Sequence, residues 1–212
     1  PNETILRPKN VHLLDFEIEL GFVMKKPITE AVTITDDNLG DYVGGVILAN
    51  DVSARDAMFG APAMQWFKGK SQRTFCPLGP VLYLLEGDDI KQIYSFQLTL
   101  KLNGKVRQDA VTDQLIHKPP KTLTEISQFT NLNVGDCILT GTPGGVLMNL
   151  NLKTALAIIL NMKNDFKRRQ KLTEAQQARE NFLKPGDVLE LEIKSVDGSI
   201  DLGKQRNEIA DA

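Results

Sequence analysis

The six residues Asp15-Phe16-Glu17-Ile18-Glu19-Leu20 constrain this chain more than any others. In an extended strand successive side chains point to opposite faces. Phe16, Ile18 and Leu20 then enter a core while Asp15, Glu17 and Glu19 share the other side. Two full negative charges about 5 Å apart repel by about 3 kcal/mol at an effective dielectric of about 20. Three on one face therefore call for a proton, a basic partner or a cation, and a hard divalent metal is the strongest of these answers. The alternative is a strand that borders water, its acids simply solvated.

A chain of 212 residues is long enough to bury the other face of that strand in one domain. A formal charge of −2 and a pI near 5.8 give no footing for nucleic acid or an anionic membrane as partner. The densest apolar run, Ala155-Leu156-Ala157-Ile158-Ile159-Leu160, falls far short of the roughly 20 residues that span a bilayer. The opening Pro1-Asn2-Glu3-Thr4 carries no basic segment followed by an apolar run, so no secretory signal is expected in these residues. With no initiator Met ahead of it, the chain is expected to continue an N-terminal lead-in segment. Cys76 and Cys137 are spaced neither as metal ligands nor as a disulfide framework, and a reducing, cytoplasmic setting is expected.

Along the chain, residues 11–24 alternate as one long strand, and a short helix fits within 35–41. Residues 42–51 read as a buried strand whose Gly44-Gly45 pair implies close packing. A short helix capped by Ser53 follows to Phe59, then a long loop over residues 60–80 of the kind that usually carries function. Strands are expected at 81–85, at 94–102 and 105–112 joined by Asn103-Gly104, and at 137–141 and 188–196 after the turns Gly135-Asp136 and Gly186-Asp187. Asp197-Gly198 closes a last hairpin. Thr122 with Glu125 forms a capping box for a helix to Thr130. Residues 147–183 differ in character. Apolar residues at 152, 155, 156, 159, 162 and 166 keep a helical period, and Thr173 with Gln176 caps a second helix to about Phe182. This reads as a helical hairpin set into a β-rich domain, either an ordinary packed pair or a lid or dimer contact.

Four stretches, in this order, resemble the fumarylacetoacetate hydrolase family. They are Asp15-Phe16-Glu17-Ile18-Glu19-Leu20; Asn50-Asp51-Val52-Ser53-Ala54-Arg55-Asp56; Lys68-Gly69-Lys70-Ser71 running to Thr74-Phe75-Cys76-Pro77-Leu78-Gly79-Pro80; and Leu139-Thr140-Gly141-Thr142-Pro143-Gly144-Gly145-Val146. The similarity covers about residues 5–146 and resumes from Phe182 to about Ile209, leaving the helical insert outside it. It implies a mainly β, α+β fold: a mixed β-sandwich or roll forming one catalytic domain over 1–212, paired as a homodimer. It also implies that Glu17, Glu19 and Asp51 hold a divalent cation, usually Mg²⁺, with Mn²⁺ or Ca²⁺ possible. Three carboxylates on Mg²⁺ leave three octahedral positions open, two for the paired oxygens of a 2-oxo acid or 1,3-dicarbonyl and one for water.

By the same resemblance Asp15 is not a ligand and lies behind the ligands or in solvent. Arg55 points at the substrate, where its planar fork suits a carboxylate. Lys70 reaches the bound substrate and steadies developing negative charge. Thr74 hydrogen-bonds a metal-bound water, and Thr142 contacts the substrate. Read without the family, Arg55 makes an i,i+4 pair with Asp51, Lys70 is a surface lysine and both hydroxyls are turn residues. Lys68 and Arg73 add a positive rim or are merely solvated. Met58 stands where the family usually has Gln. Hydrolytic members activate water with a His and a Glu on an N-terminal segment before the acidic strand, and nothing in these residues matches that element. His12 is expected to be structural and His117 superficial. The function expected is hydrolysis of a C–C bond in an acylpyruvate or fumarylacetoacetate-like substrate. The alternatives are decarboxylation or keto–enol isomerisation of a 2-oxo dicarboxylic acid, and a metal-binding relic without catalysis.

Overall fold

The computed structural model describes residues 1–60, 64–149, 152–179 and 181–212. Strand β1 (Ile5–Arg7) pairs in parallel with β11 (Asp201–Asp211), Ile5 opposite Ile209. Antiparallel pairing then adds β10 (Val188–Ser195), β7 (Phe96–Leu102) and β8 (Lys105–Val111), which complete a five-stranded sheet in the order β1-β11-β10-β7-β8. A second, antiparallel sheet has the order β6-β4-β3-β9, from β6 (Leu78–Leu84), β4 (Val43–Asn50), β3 (Ile18–Met24) and β9 (Cys137–Leu139). Leu20 and Phe22 of β3 and Leu48 of β4 share one buried core with Leu98 and Leu100 of β7 and Leu191 and Ile193 of β10. This is the strand-rich α+β fold expected, with open sheets.

Residues 11–24 do not form the single strand their alternation suggests. They divide into β2 (Leu14–Asp15), paired with β5 (Ser53–Ala54), and β3. At the break the backbone amides turn to side chains for partners. Phe16 N donates to Asp15 Oδ1 at 2.9 Å, Glu17 N to Asn50 Oδ1 at 3.1 Å and Ile18 N to Gln108 Oε1 at 3.1 Å. Buried amides need partners, and here side chains replace a neighbouring strand. Phe16, Ile18 and Leu20 nevertheless enter the core as expected, each 0% exposed. Gly44 and Gly45 do mark close packing, since a Cβ at Gly45 would lie 2.8 Å from the Tyr83 carbonyl oxygen.

Several helix boundaries move. The first short helix, α1, is Leu39–Tyr42. The helix after Asp51, α2, is Arg55–Phe59 and starts without a side-chain cap, while Ser53 lies in β5 and donates to the Asp51 carbonyl at 3.0 Å. The long loop contains α3 (Trp66–Lys70), and its end already belongs to β6; residues 61–63 of that loop lie outside the described residues. Helix α4 is Pro119–Ser127, beginning before Thr122 because Pro at the first helical positions needs no amide partner. A 3₁₀ segment at Gly87–Tyr94, invisible to a period-3.6 reading, leads into β7.

The helical hairpin is present as α5 (Leu152–Leu160) and α6 (Asp165–Gln177). Asn164 caps α6, its side chain accepting from Lys167 N at 2.9 Å, so the cap lies nine positions before Thr173. Leu152, Leu156, Ile159, Met162 and Phe166, which keep the helical period, are exposed. The inward face of α6 is instead Arg168, Leu172 and Gln176, also at helical spacing.

Candidate metal centre

Pairing of β3 with β4 sets Ile18 opposite Asn50, which brings the next residue, Asp51, beside Glu17. The amide of Asp51 donates to the Glu17 carbonyl at 2.8 Å. Glu19, two residues along β3, points the same way as Glu17. One carboxylate oxygen from each of Glu17, Glu19 and Asp51 lies within 4.8 Å of the others. Solvation does not explain Glu17 and Glu19, which are 8% and 4% exposed, while Asp51 is half-buried beside them.

Burial has an electrostatic consequence. It pushes the Glu19 carboxyl up to about 8, and the Asp51 and Glu17 charges add to the rise against the Gly141 amide and the Lys70 ammonium. Burial raises Asp51 as well, opposed by its bond to Lys70. A carboxylate cluster that resists ionising alone gains most from a cation, and the donor set suits a hard one. Neighbouring ligand oxygens around Mg²⁺ lie about 3 Å apart and opposite ones about 4 Å. Modest side-chain rotation therefore closes the observed cluster, and the residues fit a divalent ion.

Two basic side chains complete the site. Lys70, on α3, places its Nζ 2.5 Å from Asp51 Oδ2 and also binds Glu17 Oε2, a cation among the acids. Arg55, on α2, donates from one terminal nitrogen to Glu17 Oε1 at 2.6 Å and from Nε to Asp15 Oδ2 at 3.0 Å. Burial works against its charge, but Asp15 and Glu17 outweigh that and hold the guanidinium ionised. Its partners are these two acids and not Asp51, so the i,i+4 pair is not the one formed.

Asp15 is not in solvent. It is fully buried behind Glu17, where it also accepts from Leu147 N at 2.9 Å and Met148 N at 3.0 Å. Thr74 Oγ1 accepts from Leu6 N at 2.8 Å, which ties it to β1, and its φ of +67° is uncommon for a β-branched residue. The Thr142 hydroxyl donates to the Ile18 carbonyl at 2.9 Å and accepts from Gln108 Nε2 at 2.7 Å, so both functions are engaged. Met58 is wholly buried; a Cβ on Gly69 would lie 2.8 Å from its Cβ, so it packs under the turn that carries Lys70. Lys68 and Arg73 are exposed.

Alternation alone hides several supports. Gly141 N donates to Glu19 Oε2 at 2.7 Å, and Gly145, at φ +111°, stands where a side chain would strike the Arg107 carbonyl. Gln108, fully buried in the partly exposed β8, links Ile18, Thr142 and Pro143. Nothing in its neighbours Arg107 and Asp109 signals that role. A cavity of about 500 Å³ adjoins this loop, lined by Thr140, Gly141, Thr142, Ile116 and His117 among others. His12 is exposed.

Such a cluster, held between a glycine-rich loop and two short helices on a strand-rich core, defines a class. The C-terminal model of the fumarylacetoacetate hydrolase family matches residues 1–210, and the chain belongs to that family. It is similar to the mitochondrial oxaloacetate tautomerase FAHD2A of Bos taurus, 38% identical over 146 residues, 69% of this chain and 45% of that protein. It is also similar to oxaloacetate tautomerase Fahd2a, mitochondrial, of Rattus norvegicus, 36% identical over 148 residues, 70% of this chain and 45% of that protein. The chain thus spans less than half the length of these relatives. Among solved structures, the 2-hydroxyhepta-2,4-diene-1,7-dioate isomerase of Mycobacterium marinum has a TM-score of 0.71 at 28% identity, covering 100% of this chain and 64% of that one. A yeast fumarylacetoacetate hydrolase family protein has a TM-score of 0.75 at 26% identity, covering 100% and 72%.

Proposed function

We propose that the protein is an enzyme that binds a divalent metal, Mg²⁺ first with Mn²⁺ or Ca²⁺ able to replace it, at Glu17, Glu19 and Asp51, and interconverts the keto and enol forms of a 2-oxo dicarboxylic acid. The observation that carries this reading is the Lys70 ammonium among the three carboxylates. The bound ion would supply Lewis-acid polarisation of the substrate's 2-oxo and carboxylate oxygens. With a cation held by these acids, Lys70 would be free of Glu17 and Asp51 to face the substrate anion. In the enol-to-keto direction its ammonium gives a proton to the carbon next to the enol and takes back the enol O–H proton. One proton leaves oxygen, one reaches carbon, and Lys70 ends charged as it began. Arg55 keeps Glu17 aimed through its 2.6 Å bond, and Asp15 keeps Arg55 in place.

Relatives named oxaloacetate tautomerase and a neighbour named as an isomerase support this over C–C hydrolysis, which additionally needs a base to activate water. Hydrolysis of an acylpyruvate is the alternative on the same site. The experiment is a comparison with Mg²⁺ and with EDTA. Loss of the enol absorbance of oxaloacetate without release of CO₂ supports tautomerisation. Pyruvate and CO₂ indicate decarboxylation, cleavage of an acylpyruvate indicates the hydrolase, and metal binding without any turnover indicates the relic. We further propose the family's homodimer, to be checked by sedimentation.

A further inference from the structure

The helical segment touches the machinery just described in a way the reading above leaves unused. Helix α2 is short and uncapped by any side chain, yet it carries Arg55. A helix of one and a half turns has little stability of its own, so its aim depends on what grips it. Two consecutive arginines of α6 do so, one at each end.

At the first turn, the fully buried Asp56 accepts through Oδ2 from His12 N at 3.0 Å and from a terminal nitrogen of Arg169 at 3.0 Å. Arg169 also donates to the Asn10 carbonyl. At the other end, Arg168, 1% exposed, donates to the Gly60 carbonyl from Nε at 3.1 Å and from a terminal nitrogen at 2.7 Å. Its other bonds run to the Met162 carbonyl at 2.7 Å and to Asp165 at 2.9 Å, within its own hairpin. Gln176 anchors the same helix to Asn149, next to the Met148 amide that Asp15 holds. Arg55 therefore sits between two gripped points: its partner Asp15 is fixed by the start of the segment, and its helix by the end.

We infer that Arg169 is a positioning residue for the metal site, acting through Asp56 to aim α2 and thereby Arg55 at Glu17. One terminal nitrogen of Arg169 makes both bonds, so a single cationic donor bridges the Asp56 carboxylate and the Asn10 carbonyl and holds the start of α2 against the segment before β2. Partners behind metal ligands influence the affinity of the ion they never touch.

The inference rests on the metal-binding reading, so one arm of the test avoids metal. In the apo protein, Arg169→Gln is expected to shift the Arg55 Nε–H resonance and speed its exchange with water. With Mn²⁺, followed by the electron paramagnetic signal of the free ion, it is expected to weaken binding about three- to tenfold, below the 10–100-fold range for direct partners of ligands. Arg169→Lys should recover most of that loss. In an Arg55→Lys background Arg169→Gln should change Mn²⁺ affinity less than about twofold, because the route through Arg55 is already cut. Should Arg169→Gln not fold, Asp56→Asn probes the same contact. An unmoved Arg55 resonance, or the same loss of Mn²⁺ affinity with and without Arg55, overturns the inference. Failure of the parent protein to bind Mn²⁺ overturns the metal-binding reading, and the Arg55 resonance then decides the positioning role alone.

Discussion

Arg55 and Arg168 are both nearly excluded from water, and they are buried for different reasons. Arg55 meets two buried carboxylates, Asp15 and Glu17, at the metal site. Arg168 meets chiefly backbone carbonyls, those of Gly60 and Met162, with Asp165 exposed beside it. The first balances charge that the site has withdrawn from solvent. The second ties one piece of backbone to another. Burial alone says little about what a charged group does; its partners decide.

Truncation should separate the two most sharply. Arg55→Met leaves Asp15 buried without a cation and Glu17 with Lys70 alone, and breaking a buried pair costs about 3–5 kcal/mol. Arg168→Met leaves unsatisfied carbonyls, at about 1–3 kcal/mol. Urea denaturation of both variants checks this order, and an equal or larger loss for Arg168 would remove the distinction.

Next in size is the effect of the acids themselves. Glu17→Gln with Glu19→Gln should abolish Mg²⁺ uptake by equilibrium dialysis while circular dichroism remains that of a folded protein. The double variant relieves a cluster whose charges repel. Retained stoichiometric Mg²⁺, or an unfolded product, contradicts the assignment.

Acidity gives a gentler test of the same contrast. The Glu19 carboxyl is raised to about 8 in the folded apo protein from an ordinary 4.5. Between these values the folded state holds more protons than the unfolded state, so apo stability should fall as pH rises from about 5 to about 8. Saturating Mg²⁺ should flatten or reverse that slope, and its affinity should climb over the same interval because binding displaces the proton. Arg168 lies outside the carboxylate cluster, and Arg168→Met should leave the slope intact. The smallest effect is expected at Lys171→Ala on the outer face of α6, where an exposed pair with Glu174 at 2.7 Å is screened by water, so the urea midpoint should barely move.

The two arginines also show how far a sequence can be read. Arg55 stands in a stretch that resembles the family, and alternation around Phe16, Ile18 and Leu20 already turns Glu17 and Glu19 away from the core. The rest of the site depends on contacts distant in sequence. Asp15 looks like a third acid on the same face, but its bonds run to Leu147 and Met148, more than a hundred positions away. The break at Phe16-Glu17 depends on Asn50 and Gln108 side chains standing in for a strand. Arg168 lies in a basic run, Lys167-Arg168-Arg169, whose composition does not mark one member as buried. Helical period finds the hairpin but not its inward face, because α5 is apolar almost all round and α6 buries an arginine and a glutamine.

The most direct test of the carboxylate cluster is anomalous diffraction from crystals of the whole chain grown with Mn²⁺. We expect one peak within bonding distance of an oxygen from each of Glu17, Glu19 and Asp51, with Lys70 Nζ moved off Glu17 and Asp51. A map with no peak there, and Lys70 still bridging the two acids at saturating Mn²⁺, would contradict the metal site on which the proposed chemistry depends.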